Sequence, residues 1–123
     1  MSKIKLARIS LLAADVVAHL AGFAQARRND APIRDRVGML GGAVTYKVIA
    51  VGVAAGHPVA ERQAVMVPLG GIVALLATWK QSEVPVLTRV AIIGIDLGLV
   101  ATGVAARREA SSAAPNAAVT AGV

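Results

Sequence analysis

Cysteine is absent from the chain. Disulfide staples and thiolate chemistry are thereby excluded, while the redox compartment stays undetermined. Aromatic residues number three, Phe23, Tyr46 and Trp79, too few to build the stacking platforms of a nucleic-acid binder. Acidic residues are also scarce: seven against thirteen lysines and arginines, a formal charge of +6. The basic residues fall at the ends of apolar runs and form no basic face. No nucleic-acid partner is therefore expected, and anionic phospholipid headgroups are the better match. Catalytic motifs are missing as well. There is no HExxH and no GxSxG, and residues 41–47 lack the Gly-Lys-Ser/Thr ending of a phosphate loop. His19 and His57 lie on different segments, a poor metal site without cysteines. The expectation is a protein without enzymatic activity, catalytic residues, metal or cofactor.

What the chain has in abundance is apolar sequence. Hydrophobic residues make up 56% of its 123 residues before twelve glycines are counted. Mean hydropathy is +0.66. Only 16% of residues are charged, against about 25% in a soluble domain. The length allows one domain.

Residues 84–106 form the longest organising run, VPVLTRVAIIGIDLGLVATGVAA. About 20 apolar residues cross a bilayer core of roughly 30 Å as α-helix. Asp96 sits within this run, where a carboxylate must face protein or a wet cavity and not lipid. Gly94, Gly98, Ala101 and Ala105 share one helical face; Arg89, Asp96, Gly103 and Arg107 share the other.

Three further runs precede it. Residues 9–26 follow a basic start (Lys3, Lys5, Arg8) and contain Asp15 and His19, four apart on one face, with Arg8 near the same stripe. A basic start, an apolar run and Ala24-Gln25-Ala26 have the outline of a signal peptide, but Asp15 and His19 in the apolar run argue against cleavage. Residues 27–36 are a charged loop, in which Asn29 and Asp30 can cap a helix opening near Pro32. Residues 37–56 carry Lys47 near the middle, with Gly38, Gly41, Gly42, Thr45, Gly52 and Gly56 clustered on the opposite side. Gly56-His57-Pro58 marks a stop and a new start. Residues 64–79 have no charge; Pro68, Gly70 and Gly71 should kink this helix, and Trp79-Lys80 ends it as an interface anchor does. Leu40-Gly41-Gly42 and Leu69-Gly70-Gly71 hint at a repeat.

These runs predict an all-α integral membrane bundle of four short transmembrane helices, about 6–26, 32–56, 59–80 and 84–107. They form one domain over residues 1–108, followed by a disordered polar tail over 109–123. Three spans plus an N-terminal interfacial helix are the alternative. Loop charge does not choose: Lys3, Lys5, Arg8, Arg62, Arg107 and Arg108 balance Arg27, Arg28, Arg34, Arg36, Lys80 and Arg89 for four spans, whereas an interfacial first helix gives nine against three. The location expected is a bacterial-type cytoplasmic membrane, multi-pass.

Asp15, Lys47 and Asp96 are each near the centre of their run, so a bundle would place them with His19 in one charge layer. Lys47 is about ten residues, roughly 15 Å, from either helix end, too deep to reach the interface. It needs a carboxylate, and Asp96 is the expected partner. The layer reads either as a structural ion pair that sets helix register or as a proton or ion site. The pairs Gly38/Gly42, Gly52/Gly56 and Gly94/Gly98 are expected to mediate packing with a second copy or with other membrane subunits, in addition to contact with lipid. The leading functional expectation is a structural or accessory membrane subunit; the alternative is a small proton- or ion-coupled transporter or channel-like oligomer built on Asp15, Lys47 and Asp96.

Overall fold

A computed structural model describes the backbone of residues 2–120 and the side chains of residues 2–112. Among the described residues there are four α-helices and no strand: α1 Lys3–Arg28, α2 Ile33–Ala54, α3 Pro58–Ala77 and α4 Val86–Thr120. All four are long and apolar enough to cross a membrane.

Local chemistry sets their ends. The Ser2 side chain caps α1 by accepting from the Lys5 amide at 3.1 Å, and Arg27 and Arg28 oppose the helix dipole in the last turn. The chain leaves α1 through paired closing bonds, Ala31 N–H to Ala26 O and Asp30 N–H to Arg27 O, with Asp30 at φ 53°. The same device ends α2. His57 donates to Gly52 O and Gly56 to Val53 O, and Gly56 takes φ 76°, a conformation that costs glycine little. Pro58 then occupies the first turn of α3, where its missing N–H is harmless.

Two boundaries differ from expectation. Gly56 is a turn residue outside α2. α3 runs as one helix through the buried Pro68, since the single amide that proline removes leaves the rest of the helical ladder intact. α4 does not stop near 107 but runs to Thr120. Residues 109–114, EASSAA, favour helix, and an existing helix extends without a new nucleation cost. Residues 121–123 of the expected tail lie outside the described residues.

Short connections make successive helices antiparallel neighbours. α1 packs on α2 and α4, and α3 packs on the same two, so the helices occupy four corners with α1 opposite α3 and α2 opposite α4. α1 is an integral corner of this arrangement: Arg8, Leu12, Asp15, His19, Gly22 and Ala26, spaced four and three apart, are its buried stripe.

The interior is built in layers. Leu12, Tyr46, Ile49, Val53, Ala64 and Leu99 form one apolar cluster; Met39, Val84 and Ile92 form a second. Asp15 follows Leu12 by one helical turn, and Asp96 lies between Ile92 and Leu99, so the carboxyls fall between the two clusters. The outside is the reverse of a soluble protein. Val17, Val37, Val44, Val48, Val51, Val73, Leu76 and Leu97 are exposed, while Asp15 and Asp96 have no accessible surface.

Candidate functional site

Asp15 on α1 and Asp96 on α4 are neighbours in the centre of the bundle, both without accessible surface. Two ionised carboxylates are both acceptors and repel, so such a pair is stable in a dry interior only with a proton or a cation. Asp96 Oδ1 accepts from the Tyr46 hydroxyl at 3.0 Å. Asp96 Oδ2 and both Asp15 carboxylate oxygens are buried without a hydrogen-bond donor. His19, one turn beyond Asp15, places Nδ1 2.8 Å from the Asp15 carbonyl and 3.4 Å from Asp15 Oδ1. A carbonyl only accepts, so Nδ1 carries the hydrogen, and in the neutral ring Nε2 is free to accept. The His19 and Tyr46 rings lie 5.2 Å apart, tilted by 44°.

Glycines create the space. A Cβ on Gly42 would run into the His19 imidazole. A Cβ on Gly71 would lie 3.1 Å from Asp96 Oδ2 and 3.3 Å from the Tyr46 hydroxyl. These are the third residues of the two Leu-Gly-Gly triplets, one on each helix flanking the layer.

Of the expected layer, Asp15, His19 and Asp96 come together and Lys47 does not. Lys47 is exposed on α2, and among the described residues the one salt-bridge contact joins His19 and Asp15. The inward face of α2 is the stripe Met39, Ala43, Tyr46, Ile49, Val53, which turns the neighbouring Lys47 outward by about 100°. A neutral phenol thus takes the position expected for an ammonium, and it is cheaper to bury. The glycine pairs divide between contacts within the chain and open faces. Gly42 faces His19, Gly52 faces Ala60, Gly98 faces Leu11, and Gly56 forms a turn; Gly38 and Gly94 have nothing within 4 Å of a Cβ. Three of the six therefore serve packing within the chain.

Arg8 and Arg89, both buried, complete a relationship legible in the sequence once the fold is known. RISLLAAD over 8–15 and RVAIIGID over 89–96 match in kind except at Ser10/Ala91, which differ in polarity, and Ala14/Ile95, which differ in size. On antiparallel helices the two aspartates meet at the centre and the two arginines fall at opposite ends, an inverted pair. Arg89 is anchored fully: Nε donates to Val84 O at 2.9 Å, Nη1 to Trp79 O at 2.7 Å, and the guanidinium stacks 4.2 Å from the Trp79 ring.

A cavity of about 500 Å³ leads to the layer from one end of the bundle. Arg34, Asp35, Thr78 and Ser82 line its outer part, and His19, Tyr46 and Gly71 its inner part. No protein-family model matches the chain, and neither a curated protein nor a solved structure matches it.

Proposed function

We propose that the chain is a four-span integral membrane protein whose Asp15–Asp96 pair binds and releases a proton, coupled to movement of a small cation through the adjoining cavity. One observation carries this reading: two carboxyls without a cation partner are buried behind His19 and Tyr46, the residues that floor a cavity open toward one end. A register-setting ion pair needs opposite charges, and Lys47, the available base on α2, faces outward. A carboxyl pair instead must hold a proton or a cation to be stable in a dry interior. Membrane embedding is supported by the exposed belt of valines and leucines around a polar centre. The place of α1 as a packed corner favours four spans. Protons reach the pair by two short routes, from the free Nε2 side of His19 toward Asp15 and along the Tyr46 hydroxyl to Asp96. The reading includes no covalent catalysis.

Purified protein in liposomes with a pH-sensitive dye inside tests it. A proton gradient should drive flux with monovalent or lipophilic cations, lost in Asp15→Asn and Asp96→Asn and kept in Lys47→Ala. Folded wild type without flux for any of these cations would overturn it.

A structural or accessory subunit is the second reading, favoured by the open Gly38 and Gly94 beside exposed apolar residues. Gly94→Leu should then change oligomer size in mild detergent. A monomeric wild type would dismiss this second reading.

A further inference from the structure

We propose that the end of the bundle where α1, α3 and α4 meet binds a phosphate group, carried by a lipid headgroup or free in solution. A cavity of about 240 Å³ lies there, lined by Arg8, Pro58, Glu61, Arg62, Gly103 and Arg107. Liquid water occupies about 30 Å³ per molecule, so the space is ample for a tetrahedral anion. Three guanidinium groups and one carboxylate leave this wall net positive, and among the described residues Glu61 makes no salt bridge with any of the arginines.

Arg8 supplies the decisive asymmetry. Its counterpart in the inverted pair, Arg89, has backbone carbonyls on Nε and Nη1 and an indole against its face. Arg8 is as buried, at 5% exposure, yet has one bond, from Nη2 to the Glu61 carbonyl at 2.7 Å. Its Nε is enclosed without an acceptor. A buried charged donor without a partner is costly. An anion in this cavity brings the compensating charge that this guanidinium lacks. Guanidinium forks match phosphate oxygens in geometry and charge, and the first turn of α3, from Pro58, adds its positive dipole end to the same wall. Arg62 and Arg107 are exposed and free to close on the bound group. The lipid source rests on the membrane reading above, since Arg8 and Arg107 flank apolar runs at headgroup depth; the free-phosphate source does not.

The full chain purified in a neutral maltoside detergent is titrated with phosphatidylglycerol, with phosphatidylcholine as control, and bound lipid is counted by native mass spectrometry. Inorganic phosphate is tested separately against chloride at equal ionic strength, by thermal unfolding. The variant Arg62→Gln/Arg107→Gln changes exposed side chains only, and its circular dichroism should match wild type. Phosphatidylglycerol binding that weakens on the order of ten-fold or more in the variant supports a lipid phosphate. Stabilisation by inorganic phosphate, lost in the variant, supports the free ion. Neither ligand binding, or both binding the variant as well as wild type, overturns the site. Carbonate extraction of cell membranes decides the membrane reading separately, because a chain released as soluble protein leaves the inorganic-phosphate result intact.

Discussion

The Tyr46 hydroxyl reaches Asp96 Oδ1 at 3.0 Å from the opposite corner of the bundle, past the face of Gly71. It is the one hydrogen-bond donor fixed on the carboxyl pair by another helix among the described residues. Tyr46→Phe removes it and leaves a buried acceptor unpaired, a loss of about 1–2 kcal/mol. Lys47→Ala, one residue away on the outer face, removes no contact with the carboxyl pair and should cost less than Tyr46→Phe. Equilibrium unfolding in mixed micelles checks both, and the reverse ranking would put the ammonium back in the layer.

Gly42 and Gly38 look alike in sequence and differ in space. Gly42→Ala drives a methyl into the buried His19 ring and should destabilise by about 1–3 kcal/mol. Gly38→Ala meets open space and should be neutral or stabilising by up to about 1 kcal/mol through helix propensity. Melting of the two variants side by side distinguishes a packing glycine from a free one.

Arg89 is held by a planar fork on two carbonyls and by stacking on Trp79. A lysine keeps the charge but not this geometry. Arg89→Lys should lower stability by about 1–3 kcal/mol and shift the emission of Trp79, the single tryptophan. Unchanged fluorescence would show that the stacked pair does not persist in solution.

A proton held between Asp15 and Asp96 has a direct signature. Infrared spectra of the folded protein at neutral pH should contain the carbonyl stretch of a protonated carboxylic acid, absent in the Asp15→Asn/Asp96→Asn double variant. Each single variant keeps one carboxyl that can titrate, so the pH at which that band disappears should shift relative to wild type. A wild-type spectrum without the band would mean that both groups are ionised.

The exposed apolar belt predicts that the protein resists carbonate and high-salt extraction from cell membranes. Recovery in the soluble fraction would contradict membrane embedding.

Number, length and punctuation of the helices were legible in the sequence, because each depends on neighbours along the chain. Apolar runs set the spans, Gly56-His57-Pro58 set a break, and the spacing of Arg8, Asp15 and His19 placed them on one face of α1. The end of α4 was not legible, since low hydropathy was a poor guide to an alanine-rich segment attached to a formed helix. The site was legible by half. Asp15, His19 and Asp96 declared themselves as polar residues within apolar runs. Which residue of α2 would meet them did not, because Tyr46 and Lys47 are one position apart and the rotation of a helix about its axis is decided by what packs against it. The Met39, Ala43, Tyr46, Ile49, Val53 stripe and the fit of Gly42 on His19 chose the phenol. Packing of that stripe set the rotation of α2, and Lys47, one position on, was carried to the outer face.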